Sequence, residues 1–157
     1  MTAEPRRIQT DCSAPGKKIV VVEADEDFLH LIPVILADCR ADLVLARTGR
    51  NGLDEIRESR PDLVILDLAL PDMSGWEVFI QLRDMQRNEG ALPVIILADE
   101  GTRFDRTFSL QVAQVQGYLM KPFLPSQLQA SVAEALKLGG QPAADAPEGS
   151  RRGDGDD

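Results

Sequence analysis

Histidine, cysteine and aromatic residues are scarce in this chain. Of its 157 residues one is histidine, two are cysteine, and one each are tryptophan and tryptophan's smaller relative tyrosine; aromatics make up 4%. The single histidine, His30, falls inside a helical pattern and reads as a helix-surface residue, which leaves a Ser/His/Asp hydrolase without its base. Cys12 and Cys39 have neither the number nor the spacing of a disulfide framework or a zinc site. Cys39 reads as a small core residue, and a reduced, cytoplasmic setting is the simplest expectation. Positive charge is also short: 17 Lys and Arg stand against 26 Asp and Glu, a formal net charge of −9. That balance argues against nucleic acid and anionic membrane surfaces as partners. No apolar run approaches the roughly 18 residues of a membrane span. The opening "MTAEPRRIQTDCSAPG" has no apolar stretch of the kind a secretory leader needs. Neither a G-x-G-x-x-G nor a Walker A sequence occurs.

What is present is a hydrophobic fraction of 43%, sufficient for one domain with a core. Composition sets residues 1–16 and 139–157 apart as disordered tails, the second of them acidic, around a domain at 17–138. Within it lie five short apolar runs: "KIVVV" (18–22), "DLVLA" (42–46), "DLVIL" (62–66), "PVIIL" (93–97) and "GYLM" (117–120). Their continuous apolar character suits strands covered on both faces. Helical spacing fills the gaps: Phe28, Leu31, Ile32, Ile35 and Leu36; Leu53 and Ile56; Val78, Phe79, Leu82 and Met85; Val112 and Val115; Leu128, Val132, Ala135 and Leu136. Pro33 should kink the first helix or shift its start. The alternation predicts an α/β fold, a doubly wound five-stranded parallel sheet of order 2-1-3-4-5. Its crevice would lie at the carboxyl ends of strands 1 and 3.

The residues at those ends carry the chemistry. Strand 1 runs into Glu23-Ala24-Asp25-Glu26-Asp27, strand 3 into Asp67, strand 4 into Ala98-Asp99 and strand 5 into Lys121. Clustered carboxylates raise one another's pKa, and such clusters commonly hold a divalent cation; an all-oxygen donor set favours Mg²⁺ or Ca²⁺. An ionised aspartate beside a cation and a lysine is placed to attack a phosphoryl group. The same acids would repel the phosphate of a flavin or dinucleotide, so a flavodoxin-like enzyme or small-molecule binder is disfavoured.

The segments "KKIVVVEADEDF", "RPDLVILDLALPDMSGWEVF", "LPVIILAD" and "GYLMKPF" together resemble the receiver domain of two-component response regulators, over roughly residues 17–138. That resemblance implies a flavodoxin-like receiver fold in a single-domain regulator. It makes Asp67 the phosphoacceptor and has Glu23, Asp67 and the backbone carbonyl of Ala69 hold Mg²⁺. It brings Lys121 to the phosphoryl oxygens, with Pro122 after it in the cis form, and makes Tyr118 the switch aromatic. It implies a signalling phosphoprotein rather than an enzyme with turnover. Its partners would be a histidine kinase or phosphotransfer protein and a downstream protein that docks on the fourth helix, fifth strand and fifth helix, with Phe104, Phe108 and Tyr118 on that face.

Two positions depart from the pattern. Ala24 stands where the family has a second acid, and Ala98 where it has Thr or Ser. The first should weaken the metal site, and Asp25 is a poor substitute because the family points that position away. The second removes a hydroxyl that bonds the phosphoryl group, a contact of about 1.5–3 kcal/mol. The alternative expectation is therefore a pseudo-receiver, a protein-interaction module that works without phosphorylation. The residues after Leu138 are too few and too polar for a DNA-binding domain, so any signal is expected to leave through protein contacts.

Overall fold

The computed structural model describes residues 13–85, 92–99 and 115–137. Five parallel strands form one sheet: β1 (Lys18–Val22), β2 (Asp42–Ala46), β3 (Leu63–Asp67), β4 (Val94–Ala98) and β5 (Gly117–Met120), in the order β2-β1-β3-β4-β5. Helices α1 (Glu26–Ile35), α2 (Gly49–Ser59), α3 (Gly75–Met85) and a C-terminal helix (Pro125–Lys137) flank it. The doubly wound arrangement and strand order are those the sequence predicts. Two strands sit one residue later than their apolar runs, so Asp67 and Ala98 are the last residues of β3 and β4. Asp67 stays in the ladder because Leu68 N–H donates to the Leu97 carbonyl beyond it (3.1 Å).

Strand alternation divides the core in two. On one side Val20, Val22, Val64, Leu66, Val94, Ile96 and Ala98 pack with α2 and α3 through Leu53, Ile56, Val78, Phe79 and Leu82. On the other, Ile19, Val21, Leu63, Ile65, Ile95 and Leu97 pack with α1 and the C-terminal helix through Ile32, Ile35, Leu36, Leu128, Val132 and Ala135. All residues of β3 and β4 are buried, which explains their unbroken apolar runs.

The helix α1 continues through Pro33 and ends two residues later. Its buried face is Leu29, Ile32 and Ile35, whereas Leu31, expected in the core, is 44% exposed. His30 is exposed, as a surface residue should be. Cys39 overturns its expectation as a reduced thiol: it is fully buried and disulfide-bonded. Counting cysteines could not reveal this, because the approach is made by backbone: Ala14, itself buried, donates its N–H to the Cys39 carbonyl (2.6 Å). Cys12, Phe104, Phe108 and Val112 lie outside the described residues.

Candidate functional site

The carboxyl ends of β1, β3 and β5 deliver three side chains to one point. Asp67 closes β3, and Glu23 and Lys121 follow β1 and β5 directly. Each continues the alternation of its strand toward the side covered by α1 and the C-terminal helix. Lys121 Nζ donates to Glu23 Oε2 (3.1 Å) and to Asp67 Oδ2 (3.3 Å), across 98 and 54 residues of sequence. Its distance to Glu23 Oε1 is 3.0 Å. Glu23 is 0% and Asp67 3% exposed; among the described residues no other polar or charged residue is buried. The backbone around Lys121 is fixed by its N–H bond to the Ala98 carbonyl (2.7 Å), and the Lys121–Pro122 bond is cis, as the family resemblance implies.

Enclosure sets the electrostatics. Burial, a hydrogen bond shared with Asp67 and the Asp67 charge push the Glu23 pKa from 4.5 up to about 8, against the opposing bonds from Asp25 N–H and Lys121. Burial pulls Lys121 down, but the charge of Asp67 and the bond and charge of Glu23 outweigh it, so the ammonium ends above its usual pKa. Between pH 4.5 and 8 the folded state thus holds a proton on Glu23 that the unfolded chain releases, and stability falls as pH rises through that window. Glu23→Gln is expected to flatten this dependence. Urea unfolding at a series of pH values, in chelator, checks it; an unchanged slope in the variant would contradict the assignment.

The flanking loops explain how the chain reaches this arrangement. After β1, Asp25 turns back as the cap of α1, its Oδ1 accepting from Asp27 N–H (2.9 Å) and Phe28 N–H (3.4 Å). That occupation removes it as a substitute for the acid missing at position 24. After β3, Asp67 Oδ1 accepts from Ala69 N–H (3.2 Å), Gly75 N–H donates to the Leu68 carbonyl (3.0 Å), and Ala69 bridges Ser74. A Cβ at Gly75 would fall on the backbone of Asp67 and Leu68, so the tight return requires glycine. Asp72, at the tip of this loop, accepts from Gly49 N–H (2.8 Å) and Arg50 N–H (2.9 Å) and so caps α2 from outside. Thr48 takes the next amide, Asn51 N–H (3.0 Å).

The donor set for a cation is small. Among the described residues no group of three or more His, Cys, Asp or Glu side chains is arranged to hold a metal. Glu23 Oε1 is buried and meets the Lys121 ammonium at 3.0 Å without a well-directed hydrogen bond, so it keeps acceptor capacity. Two carboxylates, one of them with this under-used oxygen, together with a nearby exposed backbone form a hard, all-oxygen set compatible with Mg²⁺ that retains several waters.

Ala98 and Tyr118 belong to the opposite side of the sheet. Ala98 is 1% exposed and packs in the cluster with Val22, Leu66 and Ile96. Tyr118, partly buried, packs against the same cluster, lies opposite Ile96 in the ladder and directs its hydroxyl to Met120 Sδ (3.9 Å). The sequence reading placed Glu23, Asp67, Ala98 and Lys121 at the carboxyl ends of their strands and Tyr118 within the fifth strand, as the structure has them. It missed Asp72 and the part Phe28 plays: the Lys121 ammonium lies 4.4 Å from the Phe28 ring centroid. A short polar side chain in a loop and an apolar residue at helical spacing carry no sign of such distant partners.

Comparison with known proteins agrees with this fold. Residues 19–133 match the family model described as the response regulator receiver domain. The chain is 31% identical over 122 residues to the alkaline phosphatase synthesis transcriptional regulatory protein PhoP of Bacillus subtilis, an alignment covering 78% of this chain and 49% of the relative. The chain thus spans about half the length of the curated relatives it matches. Among solved structures it resembles a CheY-like response regulator receiver domain protein from Methanospirillum hungatei (26% identity, TM-score 0.68, covering 78% and 94% of the two chains). It shares the fold of the receiver domain of sensor histidine kinase PA1611 from Pseudomonas aeruginosa, a structure with magnesium coordinated in its active-site cleft (24% identity, TM-score 0.68, covering 78% and 98%).

Proposed function

This chain belongs to the response regulator receiver domain family, and on that premise we propose that it accepts a phosphoryl group on Asp67 in a phosphorelay. The observation that carries the reading is the convergence of Glu23, Asp67 and Lys121 at 3.0–3.3 Å in an otherwise apolar enclosure. An Asp67 carboxylate oxygen forms the new P–O bond as the P–N bond of a phosphohistidine donor breaks, its electron pair returning to the imidazole. Lys121, already bridging the two acids, meets the charge gathering on the transferred oxygens. Glu23, Asp67 and the Ala69 carbonyl would hold Mg²⁺, which when bound neutralises phosphoryl charge. The chain is then a phosphoacceptor rather than an enzyme with turnover. It takes its phosphate from a histidine kinase or phosphotransfer protein in the cytoplasm. Among the described residues no helix is long and apolar enough to cross a membrane. The signal leaves by protein contact through the surface that includes Tyr118.

Two residues favour a second reading. Ala24 supplies no carboxylate and Ala98 no hydroxyl, which suits a pseudo-receiver whose surface binds without phosphate control. One experiment separates the two readings: incubation with acetyl phosphate and Mg²⁺, followed by intact-mass measurement and Trp76 fluorescence. The phosphorelay reading expects a single phosphoryl adduct that is lost in Asp67→Asn. Absence of the adduct from the wild-type chain would establish the pseudo-receiver.

A further inference from the structure

We propose that Phe28 is a positioning residue for Lys121, an inference that rests on the phosphoacceptor reading only for its effect on rate. The Lys121 ammonium bonds the carboxylate pair and also lies over the Phe28 ring, 4.4 Å from the centroid. That ring also packs with Phe123, with centroids 5.6 Å apart and planes at 41°. Both neighbours come from the same short segment, Lys121-Pro122-Phe123, so one side chain of α1 engages both ends of it. The placement of Phe28 is fixed in turn by Asp25, which caps the helix and accepts from the Phe28 N–H.

The aromatic partner differs in kind from the acidic ones. Glu23 and Asp67 change charge or partners when they bind a cation, a proton or a phosphoryl group. A ring face attracts an ammonium through its quadrupole yet carries no net charge, takes no proton and does not ligate a hard cation. Phe28 therefore keeps Lys121 at the mouth of the site while its carboxylate partners are engaged elsewhere.

Ring-current shifts of the Lys121 ε-methylene signals test the contact directly. In the full chain, with and without Mg²⁺, these signals are expected upfield, and Phe28→Leu removes the shift while Phe28→Tyr retains it. Phosphorylation of Asp67 by acetyl phosphate is expected to slow about tenfold in Phe28→Leu and to recover in Phe28→Tyr. Pentafluorophenylalanine at position 28 keeps the shape but inverts the ring quadrupole, and should slow the reaction as leucine does even if Phe28→Leu fails to fold. An unshifted Lys121 in the wild type, or full rate with the fluorinated ring, overturns the proposal. If the wild type takes no phosphate, the phosphoacceptor reading fails, and the methylene shifts alone decide whether Phe28 holds the ammonium.

Discussion

Lys121→Met is expected to slow phosphorylation of Asp67 by about 100- to 1000-fold, the loss typical when one preorganised donor to developing charge is removed. Methionine keeps the unbranched length of the side chain and deletes the ammonium that bridges Glu23 and Asp67. The same substitution should destabilise the fold by about 2 kcal/mol, less than is usual for breaking a buried pair because Glu23 can retain its proton. The deficit should grow as pH rises past about 8, where Glu23 ionises in the wild type beside Lys121 but in the variant must keep its proton, at growing cost, next to Asp67. Single-turnover phosphorylation and denaturant titrations at pH 6 and 9 measure both effects. An equal loss of stability at the two pH values would mean that Lys121 does not stabilise the ionised acids.

Ala24→Asp should strengthen Mg²⁺ binding by about 10- to 100-fold, since a third carboxylate joins a set that has only two. Position 24 lies between a fully buried Glu23 and an Asp25 committed to capping α1, so neither neighbour compensates for the missing group. Titration of Trp76 emission with Mg²⁺ in the two proteins gives the ratio. Equal affinities would show that the acid at this position is not what limits the site. The expected gain also argues for lower affinity, not loss of the site, as the consequence of alanine there.

The elements that were legible in the sequence are those whose signal is local. Five apolar runs bounded by polar residues gave the strands, and their spacing gave the winding and hence the meeting of residues 23, 67 and 121. The one-residue displacement of β3 and β4 was hidden because Asp67 and Ala98 end strands whose hydrogen bonding continues past the apolar run. Leu31 looked like core because α1 is apolar over more than one face, and only the direction of the sheet decides which face is covered. Asp25 was a poor substitute ligand on the family pattern alone, and its bonds to Asp27 and Phe28 add the local reason: it is occupied as the cap of α1. The disulfide at Cys39, the cap supplied by Asp72 and the ring behind Lys121 all depend on partners brought together by the fold, which no local pattern encodes.

The reach of Asp72 across to α2 has a dynamic consequence. The first amides of α2, those of Gly49 and Arg50, are protected from solvent exchange only while the return after β3 keeps its shape. The helix start and that loop should therefore open together as one cooperative unit, and deuterium uptake at two backbone positions of a remote helix becomes a gauge of order beside the phosphate-accepting aspartate.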